Sequence, residues 1–127
     1  MPLVYDASAL LAVIFSEPGS EAVIELMSEA GGEISAANLA EVGSKMAERG
    51  LSAGQVRREL AAFSLAVASV DETQALLVAG LRVSTKPLGL SLGDRCCLAL
   101  AQTRRATVVT ADRSWKKLKG FDVKLIR

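Results

Sequence analysis

Four carboxylates stand out by where they fall along the chain: Asp6, Glu41, Asp94 and Asp112. Each lies close to the start of a helical pattern that follows or precedes an apolar run. Their chemistry is bounded by an absence, because the 127-residue sequence contains no histidine. That excludes Ser/His/Asp and Cys/His nucleophilic machinery, histidine acid–base catalysis and histidine metal sites. Carboxylates gathered without a counter-charge raise one another's pKa. A divalent cation removes that repulsion, and a donor set made of oxygens alone favours Mg²⁺ or Mn²⁺. Two such ions about 3.5 to 4 Å apart clamp the attacking and leaving oxygens of a phosphodiester and acidify the attacking water.

The elements that must position these groups follow from periodicity. Leu3-Val4-Tyr5 runs into Asp6, and Ala9 to Ile14 reads as a helix. A strand with no flanking charge that feeds a helix so quickly is the central strand of a buried parallel sheet, with Asp6 at its carboxyl end. Ligands of open α/β sheets bind at that end. Ser20 opens a second helix to about Glu29, stopped at Ala30-Gly31-Gly32, and Glu33 to Ala36 is a second strand. A third helix starts at Asn38, carries Glu41 in its first turns and stops at Arg49-Gly50. Ser52 begins a fourth helix, Leu65 to Val70 is a third strand, and Asp71 caps a helix through Leu81. Ser84 to Gly89 is the least regular stretch and is expected to be a mobile loop on the carboxyl side of the sheet. Ser91 opens a helix to about Arg104 with Asp94 in its first turn. Thr107 to Thr110 is a fourth strand leading to Asp112; a short helix around Trp115 and Leu118 and a last strand from Val123 to Ile126 complete the chain. Strands alternating with helices predict an α/β fold: one domain, residues 1–127, with a central parallel sheet covered by helices on both faces. The four acids share one rim if the first, second and fourth strands are neighbours.

Each of these residues also has an ordinary reading. Asp6 or Ser8 caps the first helix, and Asp112 caps the short helix containing Trp115. Asp94 completes a capping box with Ser91, although it shares a helical stripe with Cys97, Leu98 and Ala101 that turns its carboxylate toward the apolar side. Glu41 is spaced to pair with Lys45 on a solvated face. Ser8 and Thr110, each two residues from an aspartate, offer hydroxyls for orienting a ligand or for capping.

Half of the residues are hydrophobic, enough for a core at this length. Cys96 and Cys97 sit in an apolar helical stretch and read as small buried hydrophobes. No apolar run reaches the roughly 18 residues of a membrane span, and Met1-Pro2 leads directly into the first strand, so a cytoplasmic setting with no membrane partner is the expectation. Charge is uneven: residues 1–64 carry four Lys/Arg against nine Asp/Glu, and residues 65–127 carry eleven against five. The basic half favours a polyanion. The five aromatics lie mostly in apolar contexts, so they offer no base-stacking platform. The helices at 9 to 15 and 52 to 65 are apolar enough to serve as partner surfaces or as core.

With these residues assembled, the chain resembles the PIN-domain ribonucleases, and within them the VapC-type toxins of bacterial toxin–antitoxin pairs. The matching stretches are VYDASALLAVIFSEPG with Asp6 and Ser8, SAANLAEVGSKM with Glu41, LSLGDRCCLALA with Asp94, and ATVVTADRSWKKL with Thr110 and Asp112. Gly93 stands where relatives often carry alanine. The resemblance implies a sheet ordered 3-2-1-4-5, a Mg²⁺- or Mn²⁺-dependent endoribonuclease acting on RNA, a homodimer, and a VapB-like antitoxin that covers the cleft. It implies Asp6, Glu41, Asp94 and Asp112 as the catalytic and metal-binding cluster, assisted by Ser8 and Thr110. Asp6, Asp94 and Glu41 would hold a first ion, and Asp112 would complete the cluster or help to hold a second. Arg95, Arg113, Lys116 and Lys117 flank the two later motifs and are candidates for contacts to the RNA backbone. Two other readings are open: a PIN-fold RNA-processing nuclease without an antitoxin, and a catalytically silent binding module.

Overall fold

The computed structural model describes residues 2–127. The chain opens with β1 (Leu3–Tyr5), α1 (Ala7–Ile14), α2 (Ser20–Ala30), β2 (Glu33–Ser35), α3 (Ala36–Glu48) and α4 (Ala53–Ala61). It continues with β3 (Ala66–Ala68), α5 (Glu72–Gly80), α6 (Arg82–Thr85), a 3-10 turn at Lys86–Leu88, and α7 (Leu92–Arg104). It ends with β4 (Thr107–Thr110), a second 3-10 turn at Arg113–Lys117, and β5 (Val123–Leu125). The strands form one sheet ordered β3-β2-β1-β4-β5, and every pairing is parallel.

This order puts β1 in the centre, where its three residues are all buried. Side chains alternate across a strand, so β1 feeds two cores. Leu3 and Tyr5 join Val109 of β4 against Leu10, Val23, Val42 and Met46 from α1, α2 and α3. Val4 and Val108 face the other way, onto Leu98, Leu100 and Trp115. A strand of apolar residues with no polar face is stable only when helices cover both sides. Tyr5 brings a hydroxyl into this core, and it donates to the Gly31 carbonyl at 2.9 Å. Burial pushes its pKa up to about 12, which keeps it a neutral donor. The same ring leaves no room for a side chain at Gly32, whose φ of 137° is in any case a conformation that favours glycine.

The elements lie close to where periodicity predicts them, with shifts at their ends. Helix α1 begins at Ala7, because Asp6 is its N-cap and accepts from the Ala9 amide. Helix α3 begins at Ala36, with Ser35 as cap, and β3 is shorter than the expected 65–70 run. Residues 84–89, expected to be a mobile loop, are ordered into α6 and the 3-10 turn. The Thr85 hydroxyl donates to the Leu81 carbonyl at 2.7 Å and prolongs the helical path. Pro87 then sits in the first turn of a 3-10 helix, where its missing amide costs no hydrogen bond. Both cysteines are free and buried, as their apolar setting implies. Among the described residues no helix is long and apolar enough to cross a membrane.

Candidate active site

Asp6 is the best-defined group on the carboxyl rim of the sheet. It is 4 % exposed, and its carboxylate takes hydrogen bonds from its own helix start and from the end of β4. Its Oδ1 accepts from the Ala9 amide at 3.0 Å and the Ser8 hydroxyl at 2.7 Å, while Oδ2 accepts from the Thr110 hydroxyl at 2.6 Å. Those hydroxyls are themselves fixed from the end of β4. The Ala111 amide donates to Ser8 Oγ at 2.9 Å, and the Asp112 amide donates to Thr110 Oγ1 at 3.0 Å. Two consecutive amides thus aim two hydroxyls at one carboxylate and lock the ends of β1 and β4 together. Burial dominates its electrostatics and raises its pKa from 3.8 to about 6; the three hydrogen bonds oppose that rise and the Asp94 charge adds to it.

The other three carboxylates are each oriented through one oxygen. Asp94 Oδ2 accepts from the Ser91 amide at 2.9 Å, one half of a capping box at the start of α7. Asp112 Oδ1 accepts from the amide and the hydroxyl of Ser114 at 2.9 and 2.7 Å. Glu41 Oε1 accepts from Asn38 Nδ2 at 2.9 Å. The ordinary partner foreseen for Glu41 goes elsewhere, since Lys45 pairs with Glu48. Asn38 is the residue that sequence reasoning passed over. Its signal was a polar side chain three positions before Glu41, which places the two on one helix face.

Asp6, Asp94 and Glu41 share a neighbourhood behind which Cys97 is fully buried. Burial drives the Cys97 thiol well above its ordinary range, and the charges of Asp6, Asp94 and Glu41 all push the same way. Asp112 is tied to the group through its amide and Thr110, while its carboxylate turns to cap the 3-10 turn. Among the described residues, no three His, Cys, Asp or Glu side chains converge into a group able to hold a metal ion. The donor set itself is made of hard oxygens, and burial makes Asp6 a carboxylate whose charge a divalent cation would stabilise. The residues that could hold such an ion are Asp6, Asp94 and Glu41, with Asp112 at the margin.

The four basic residues flanking these motifs differ in their freedom. Arg95 donates to the Val78 carbonyl at 3.0 Å, Lys116 to the Val123 carbonyl at 2.6 Å, and Arg113 to the Arg127 carbonyl at 3.4 Å. Lys117, with Lys119, instead lines a surface cavity closed by Ser84, Pro87, Leu88 and Phe121.

A parallel sheet of this order, with Asp6 and Asp112 following its two central strands, defines an open α/β domain. The chain belongs to the PIN domain family, whose model matches residues 3–120. PIN domains are nucleases, enzymes that hydrolyse nucleic acids. Among solved structures, the chain is similar to a toxin–antitoxin complex from Klebsiella pneumoniae, with TM-score 0.79, 20% identity, and 98% of each chain covered. It is also similar to DNA-bound VapBC from Salmonella typhimurium, with TM-score 0.79 and 20% identity over 100% of this chain and 99% of that one. A third is VapBC2 from Rickettsia felis bound to a promoter DNA fragment, with TM-score 0.78, 19% identity and 98% coverage of each chain. Likeness at such identities is a likeness of fold. Comparison with curated protein sequences gives no match.

Proposed function

We propose that this chain is a metal-dependent endoribonuclease of the VapC type, the toxin of a toxin–antitoxin pair. The observation that carries the reading is Asp6: a buried carboxylate held at both oxygens, pushed up to about 6, with the Asp94 charge close enough to add to the strain. Its three hydrogen bonds come from neutral donors, so the buried charge is left without a counter-charge that a cation would supply. Asp6, Asp94, Glu41 and Asp112 are the residues that would hold the Mg²⁺ or Mn²⁺. When bound, the cation supplies an acidified water and offsets charge on the phosphate.

The protein's own contribution is placement. Ser8 and Thr110 hold Asp6 in one rotamer, and Ser91 does the same for Asp94. Such preorganisation removes the cost of assembling the site at the moment of reaction. Lys117, which lines a surface cavity, would engage the RNA backbone, a contact that positions a strand without reading it. Toxin–antitoxin partners in the solved complexes with this fold support an antitoxin of the VapB kind. A homodimer is part of the same proposal. A shallow apolar groove between Val13, Ile14, Ala62 and Phe63 provides a surface for a partner segment.

The test is cleavage of total cellular RNA by the purified chain, freed of any copurifying partner, with Mg²⁺ or Mn²⁺ and with chelator. Discrete fragments that require both metal and an intact Asp94, and vanish in Asp94→Asn, are the expected result. No cleavage by the folded, metal-supplied protein would shift the reading to a silent binding module.

A further inference from the structure

Glu41 lies on an exposed stretch of α3, where a long side chain ordinarily samples several rotamers and loses up to about 2 kcal/mol of freedom when fixed. Here it is held from two sides. Asn38, 1 % exposed, donates through Nδ2 both to Glu41 Oε1 at 2.9 Å and to the Gly93 carbonyl at 3.0 Å. Both of those partners are acceptors, so only the NH₂ end of the amide can face them, and its orientation is settled by chemistry. One amide thereby bolts α3 to the first turn of α7. On the other side, a Cβ built at Gly93 falls on the Glu41 carboxyl group, far inside van der Waals contact with its Oε1. The backbone at 93 is ordinary right-handed helix and would accept any residue; the nearest atoms a side chain there would meet all belong to the Glu41 carboxyl group, which would have to move aside. The position adjoins Asp94.

We propose that Asn38 and Gly93 are positioning residues that set the Glu41 carboxylate beside Asp94, one by a hydrogen bond and the other by leaving the space the carboxylate fills. This rests on the reading of the rim as a cation site. An oxygen held in place by a neighbouring donor binds a cation more tightly than one that must first be ordered, and loss of such outer support typically weakens metal affinity about 10- to 100-fold. Gly93→Ala is the sharpest probe. Alanine is the better helix former, so if Gly93 were only a helical residue, the variant would be at least as stable as the parent and otherwise unchanged.

The experiment measures three things on the full chain: Mn²⁺ affinity by calorimetry without RNA, thermal midpoint, and the Asn38 side-chain amide resonances in the metal-free protein. The expected result for Gly93→Ala is an affinity reduced about 10-fold, an undiminished midpoint, and a shift of the Asn38 amide pair as Glu41 is displaced. In a Glu41→Gln background the same substitution is expected to add almost no further loss of affinity, because it acts through the carboxylate already removed. A parent that binds Mn²⁺ and cleaves RNA, paired with a Gly93→Ala variant that matches it in affinity and in the Asn38 resonances, overturns the positioning role alone. A fully additive loss in the Glu41→Gln background overturns it as well. A parent that neither binds Mn²⁺ nor cleaves RNA overturns the functional reading and the positioning role with it.

Discussion

Asp6 shows what burying a single carboxylate costs a fold. Its folded pKa lies near 6, above the 3.8 of an unperturbed carboxyl. The folded state therefore binds more protons than the unfolded one between those values, and stability falls as pH rises from about 4 through about 6. At about 1.4 kcal/mol per tenfold change, the penalty at pH 7 is on the order of 3 kcal/mol. Asp6→Asn removes the charge and keeps an oxygen for Ser8 and Ala9. The metal-free variant is expected to be more stable than the parent at pH 7 by about 1 to 3 kcal/mol, with the gap narrowing toward pH 5. Urea unfolding at the two pH values checks this; a gap that does not depend on pH would show that burial does not strain Asp6. Added Mn²⁺ is expected to narrow the gap at pH 7 by stabilising the parent alone.

At the scale of elements, the 3-10 turn after β4 is capped by Asp112 and anchored in the core by Trp115. Trp115 is fully buried in one cluster with Val108, Leu98 and Leu100. Trp115→Ala is expected to cost about 3 to 5 kcal/mol, as for other large buried aromatics. Trp115→Phe is expected to cost much less than that, because the indole Nε1 is buried with no hydrogen-bond partner among the described residues. Losing it discards area but also discards an unmet donor. Thermal unfolding of the two variants separates these contributions; a similar loss in both would mean that the indole N–H is satisfied. The ordering of 84–89 belongs to this scale too. Thr85 and Pro87 read as loop residues by type, and they turn helical because the Leu81 carbonyl is within reach of the Thr85 hydroxyl.

For the molecule as a whole, the decisive property is how charge is shared out. Residues 65–127 hold eleven of the fifteen basic residues, yet basic count is not basic access. If RNA crosses the rim toward the cavity that Lys117 lines, Lys117→Ala lowers the slope of log affinity against log salt by a fraction of one charge, about 0.7 on a single strand. Lys116→Ala is expected to change that slope less, because its ammonium is engaged with the Val123 carbonyl. RNA binding by the Asp94→Asn protein across a salt series makes the comparison, and equal slopes for both variants would remove Lys117 from the path of the strand.

The amino-acid sequence by itself determined the α/β class and most of the element order, and its motifs singled out Asp6, Glu41, Asp94 and Asp112. Hydrophobic periodicity and capping residues are local signals, and each is written within a few residues of where it acts. The lack of histidine was equally legible and narrowed the chemistry before any geometry was known. Tertiary structure decided what those residues do to one another. Whether Ser8 and Thr110 cap helices or serve Asp6 depends on β1 and β4 being neighbours, a pairing across a hundred residues that no window contains. Whether the Asn38 amide that holds Glu41 also ties it to a second helix depends on α7 bringing the Gly93 carbonyl within reach. Local patterns assign elements because their causes are local; a site is made where distant elements meet, and only packing brings them there.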